Sequence, residues 1–276
     1  MGIEKIVSDL KGHENIDLKK RKRRRKIVVS RVQKLYQISK QVFANCEPGV
    51  VPSPENIGRL KAVLDKITET DVGLRPSMPY FKSTVSHRPP KITYLHIHEC
   101  DNFSIGIFCL PPKAVIPLHN HPGMTVFSKL LFGKMHIKSY DWADNLLPES
   151  STPNANIFYD DAVGCTGPRL AKLKVNSEFK APCKTSILYP ADGGNMHCFT
   201  AITACAILDV LGPPYCDPEG RHCQYYYDFP FANLSVDDLS KPEEQQSEYW
   251  WLKEREKPED LTVAGALYRG PNLVFK

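Results

Sequence analysis

PLHNHPGMTVFSKLLFG, residues 117–133, reads as the end of one β-strand, a turn and a second strand. Pro117 introduces two histidines, Pro122-Gly123 turns the chain, and the apolar run that begins at Met124 stops at Gly133. Residues i and i+2 of a strand point to the same side, about 6.6 Å apart along the chain, so His119 and His121 can converge on one metal ion. His96 and His98 have the same spacing. Spacing alone does not choose between the two pairs, and a strand whose solvent face carries two histidines is the bland reading of either.

On both sides of this stretch the text has the same texture. ITYLHIHE, FSIGIFCL, KMHIKSYDW, AKLKVNSEF, KTSILYP and AITACAILDVL are short β-branched and aromatic runs broken by Pro, Gly, Asn and Asp, which predicts a sandwich or barrel of strands. Residues 143–167 interrupt the rhythm with Pro148, Pro153 and several polar residues, and read as a long loop between two strands. Two helices precede the strands. Val28, Val32, Leu35, Ile38 and Val42 recur at helical spacing; Ser53 as N-cap, Pro54 at the first helical position and Glu55 in the first turn open the second. Each has one polar face, so both are expected to pack on the outside of the strands.

PLHNHPG resembles the first motif of the cupins, although the glutamate usual after the second histidine is missing: Met124, Thr125 and Val126 stand there. YPADGGNMHCF, residues 189–199, resembles the second motif, which delivers a further ligand, His197, from a distant strand. The resemblance implies an all-β core in a cupin-type double-stranded β-helix, a jelly-roll barrel with the N-terminal helices packed outside. Three imidazoles would leave half of an octahedral site open. The commoner two-histidine-one-carboxylate site would show a His-x-Asp or His-x-Glu tripeptide, and the sequence contains neither.

LHNHPGMTVFSKLLFGKMHIKSYDW with DGGNMHCFTAITACAILDVLGPPY is similar to the plant cysteine oxidases, relatives of animal cysteamine dioxygenase. The resemblance implies Fe(II) on His119, His121 and His197. It also implies O2-dependent oxidation of a protein's N-terminal cysteine to the sulfinic acid, which feeds the arginine branch of the N-degron pathway. Family substrates include group VII ethylene-response transcription factors, so an oxygen sensor of plant hypoxia is expected. Asp209 stands out on physical grounds too, because a carboxylate in the apolar run CAILDVLG is expensive to bury without a partner. It either faces the site, where it could accept a substrate α-ammonium, or is satisfied by loop backbone. By resemblance Tyr215 lines the pocket mouth, and Cys223 with Tyr225 has the spacing at which the animal relative forms a thioether.

Composition narrows the remaining choices. The 276 residues, 42% hydrophobic, suit one catalytic domain, residues 27–276, behind a basic tail, residues 1–26. The formal charge of +5 includes eight consecutive cations, Lys19 to Lys26, so the rest of the chain is net negative by three. That argues against a nucleic-acid groove across the domain, whereas the run itself reads as a nuclear import signal. No signal peptide opens the chain and no segment approaches the roughly 20 apolar residues of a membrane span, so a soluble protein of nucleus and cytoplasm is expected. Nine cysteines without CxxC pairing suit a reducing compartment and read mostly as buried thiols. An enzyme for free cysteine would need a cation for the substrate carboxylate, and no Arg stands beside the ligand motifs. A non-catalytic or differently catalytic cupin is one competing reading and a nuclear nucleic-acid-binding protein that uses the basic run directly is the other; a monomer is expected.

Overall fold

The protein is described by a computed structural model covering residues 29–82, 89–143, 167–231 and 247–275. Helices α1 (Arg31–Val42) and α2 (Pro54–Leu64) are followed by twelve strands. These are β1 (Ile92–Cys100), β2 (Phe103–Leu110), β3 (Val115–His119), β4 (Thr125–Phe132), β5 (Lys134–Trp142) and β6 (Arg169–Lys180). The remainder are β7 (Ser186–Leu188), β8 (Met196–Ala201), β9 (Cys205–Gly212), β10 (Tyr225–Pro230), β11 (Tyr249–Arg255) and β12 (Val263–Ala266). The basic run and nearly all of the expected 143–167 loop lie outside the described residues.

Six strands form a sheet in the order β12-β1-β2-β9-β4-β7, and the other six, β10-β11-β6-β5-β8-β3, close on themselves through the pair Tyr225–His119. The two layers are the expected double-stranded barrel. The alternation of β9 shows why its sequence is nearly all apolar. Ala206, Leu208 and Val210 pack with Leu35, Leu60 and Leu64 of the helices. Cys205 and Ile207 point the other way, into a core shared with Met135 and Phe199 of the second layer. A central strand covered on both faces loses the polar alternation of a half-exposed one.

The helices form where the sequence places them. Ser30 accepts from the Gln33 amide and Ser53 from the Asn56 amide, each satisfying a donor that the first helical turn leaves open. Each fully buried leucine of the pair contributes roughly 2 kcal/mol by leaving water. After α1 the chain touches the barrel rim, where the Gly49 amide donates to the Gly123 carbonyl at 2.8 Å. Gly123 has φ +69°, so its turn favours a residue without a side chain.

Sequence and structure differ in three places. AITACAILDVL is two strands, β8 and β9, split at Ile202–Ala204. Strands β10, β11 and β12 went unread, since YYYDFP and YWWLKER mix charges with aromatics and VAGA is short and glycine-interrupted. The eight described cysteines are free thiols, as expected, but only Cys109 and Cys205 are fully buried. Among the described residues no helix is long and apolar enough to cross a membrane.

Candidate metal centre

Two neighbouring strands and one turn assemble the centre. Antiparallel pairing of β3 with β8 sets His119 directly opposite His197, and His121 enters from the turn just beyond β3. Convergence of His119 and His121 therefore comes from a strand end and a turn, not from the pleat that the spacing suggested. The other pair fails for a related reason: a register shift between His96 and His98 breaks the alternation of β1. His98 instead packs among Tyr36, Phe103 and Phe275, and His96 lies near the exposed Glu99.

All three histidines of the centre are buried, with ligand atoms within 4.8 Å of one another. His121 Nε2 and His197 Nε2 are 3.4 Å apart. His119 Nδ1 lies 2.8 Å from the Pro117 carbonyl, which can only accept, so Nδ1 carries the proton and Nε2 keeps a lone pair. The Tyr215 hydroxyl donates to the Asn120 carbonyl at 2.7 Å and accepts from His121 Nδ1 at 3.0 Å, fixing the same tautomer there. His197 stacks on Phe199, with ring centroids 4.2 Å apart. Burial holds all three imidazoles below their ordinary pKa, and for His121 and His197 the neighbouring imidazoles push further down. Neutral rings with inward lone pairs are what a divalent cation requires of histidine.

Sequence reasoning missed the groups that hold the ligands in place. The buried Asp141 carboxylate accepts from the amides of Gly194 and Asn195 at 2.9 Å, anchoring the segment just before His197. Asn195 then grips the other ligand strand: its Oδ1 accepts from the His121 amide at 3.1 Å and its Nδ2 donates to the His121 carbonyl at 2.9 Å. Gly194 has φ +86°, and a Cβ there would run into Ser139. The double glycine before Asn195 was the available signal, since a ligand loop in this backbone region admits little else.

A cavity of about 380 Å³ opens over the three histidines and brings in Asp209, Tyr215, Cys223 and Tyr225. His119, His121, His197, Asp209, Tyr215, Cys223 and Tyr225 thus meet in one place, while His96 and His98 lie elsewhere. Asp209 is on β9 with its side chain on the cavity side; Oδ1 is buried without a hydrogen-bond partner, and burial pushes its pKa up to about 7 against a hydrogen bond from Ser128. The backbone-satisfied alternative does not hold for that oxygen. Tyr215 lines the cavity, but its hydroxyl is engaged by Asn120 and His121. Cys223 hydrogen-bonds with the Tyr215 and Tyr225 hydroxyls, and burial raises its thiol pKa.

A family model described as PCO_ADO matches residues 63–273. The chain belongs to the PCO_ADO family. It is 60% identical over 253 residues to plant cysteine oxidase 2 of Arabidopsis thaliana, covering 91% of this chain and 86% of that protein. Plant cysteine oxidase 1 of the same plant is 58% identical over 89% and 81%. Human 2-aminoethanethiol dioxygenase is 31% identical over 83% and 84%.

For this PCO_ADO protein, Asn195→Ala is expected to cost about 10- to 100-fold in metal affinity, because the substitution frees the His121 backbone while leaving every ligand present. Competition with a chelator measures it. Unchanged affinity would mean that the turn holds His121 without help.

Proposed function

We propose that the chain is an Fe(II)-dependent thiol dioxygenase that converts the N-terminal cysteine of target proteins to the sulfinic acid. Both atoms of O2 end on sulfur, so the reaction needs no external reductant. His119, His121 and His197 hold the metal. Bound there, iron(II) would supply the redox chemistry that lets O2 react with the substrate thiolate. The observation that carries the reading is the Asp209 carboxylate, whose Oδ1 is buried without a hydrogen-bond partner, in the same cavity as three neutral imidazoles. A carboxylate there can take the α-ammonium of a substrate whose sulfur lies at the metal. Tyr215 orients His121, and Cys223 with Tyr225 lines the wall beside it.

Among the described residues that line the cavity none is Lys or Arg. A free amino acid would bring a carboxylate with no counter-charge, whereas a protein N-terminus brings a neutral amide. This favours protein substrates, group VII ethylene-response transcription factors among them, and a role as oxygen sensor ahead of arginine N-degron turnover. Residues 1–26 form a separate basic tail for nuclear import, and residues 27–276 act as one catalytic domain, a monomer working in nucleus and cytoplasm without contacting nucleic acid or membrane.

Mass spectrometry of a Cys-initiated peptide incubated with the iron-loaded protein tests the activity. Gain of two oxygen atoms in air, absent under nitrogen and after chelation, is expected. No gain with verified iron loading would return the chain to the non-catalytic reading.

A further inference from the structure

β12 ends one side of the six-stranded sheet, and among the described residues its strand partner is β1 alone. The pairing is parallel, with Ile92 opposite Val263 and Tyr94 opposite Gly265, and the Ile92 amide donates to the Thr262 carbonyl. Successive residues of a strand turn their N–H and C=O groups to opposite edges. Thr262, Ala264 and Ala266 therefore face β1, and the backbone groups of Val263 and Gly265 face away from it. Those same two residues line the metal-site cavity together with Tyr94, Gly106 and Asp209.

We propose that the polypeptide behind the substrate's N-terminal cysteine leaves the cavity over β12 and hydrogen-bonds to the outward backbone groups of Val263 and Gly265. This rests on the dioxygenase reading and states where the rest of the substrate goes. Asp209 on β9 is separated from β12 by β2 and β1, three strand spacings or about 14 Å. With the α-ammonium at Asp209, residues about four to six of an extended chain fall at β12. The way between is kept low by glycine: Gly106 carries no side chain where the Tyr94 ring lies across it, and a Cβ on Gly265 would meet nothing within 4 Å. Val263 is exposed beside it. Backbone pairing at a strand edge reads little sequence, which suits substrates that share only their first residue.

The open space at Gly265 makes the test clean, since Gly265→Leu puts bulk into the path without a clash at Cβ. A labelled Ser-initiated peptide long enough to reach β12, which binds but carries no thiol, reports affinity by fluorescence anisotropy. Gly265→Leu is expected to weaken it about tenfold and to raise KM for the Cys-initiated peptide by a similar factor at constant kcat. With the unaltered protein, single backbone N-methylation of the peptide should weaken binding at alternate positions around residues four to six. Equal affinity for Gly265→Leu and for every N-methylated peptide would overturn the proposal. Failure of the unaltered, iron-loaded protein to oxidise the Cys-initiated peptide would instead remove the dioxygenase reading, and anisotropy would still decide the question of β12.

Discussion

His197→Ala is expected to leave a folded protein that neither retains metal nor oxidises a Cys-initiated peptide, with activity down at least about 10³-fold. The size of the effect follows from the ligand set. Three imidazoles are the only His, Cys, Asp or Glu side chains among the described residues that gather closely enough to hold an ion. With no carboxylate in the group, nothing replaces a lost ring. The fold should survive, because His197 is anchored by its backbone: β8 is paired on both sides, to β3 and β5, and Asp141 and Asn195 hold the preceding turn. Metal content by elemental analysis and secondary structure by circular dichroism separate the two effects. Full metal occupancy with retained activity in His197→Ala would remove this site from consideration.

Asp209→Asn should divide activity from stability. Its buried carboxylate, pushed to about 7 by desolvation, binds in the folded state a proton that the unfolded chain has already released above its ordinary value near 3.8. The folded state therefore loses stability as pH rises from about 4 to 7, and the whole cost is present above 7. Three pH units at about 1.4 kcal/mol each set an upper figure of about 4 kcal/mol. Asparagine carries no charge, so the metal-free variant should melt higher than the parent at pH 8 and close to it at pH 4. Activity should move the opposite way. The α-ammonium of a peptide loses its counter-charge, and kcat/KM falls about 100-fold, through KM more than kcat. In the parent kcat/KM should fall on the acid side as Asp209 takes up a proton; the variant should lack that limb. A variant with unchanged KM and the same acid limb would show that Asp209 does not meet the substrate.

The ligands were legible because each stands in a segment whose punctuation survives in one dimension: Pro117 and Pro122-Gly123 around one pair, Pro190 and Gly194 before His197. Asp209 was legible because charge inside an apolar run contradicts its surroundings. Asp141 and Asn195 were not, since each looks like an ordinary polar residue until β5 and the His121 turn are brought beside residues 194–195, more than fifty positions from Asp141 and more than seventy from His121. The pleat argument for His-x-His also went too far. Alternation holds only while a strand stays regular, and both pairs sit where regularity ends, one at a register shift and one at a strand terminus. Strands β10 and β11 were missed because charges mixed with aromatics blur the period-two signal, and β12 because four residues interrupted by a glycine carry too little of it.

The hydrogen bond from the Gly49 amide to the Gly123 carbonyl ties the segment after α1 to the turn that presents His121. The helices are thus more than a cover laid over a self-sufficient barrel. A chain trimmed to the strands alone, or a chimera that joins this barrel to another protein's helical cap, would loosen one ligand of the centre even with all three histidines intact. For protein engineering, the smallest portable unit begins at α1.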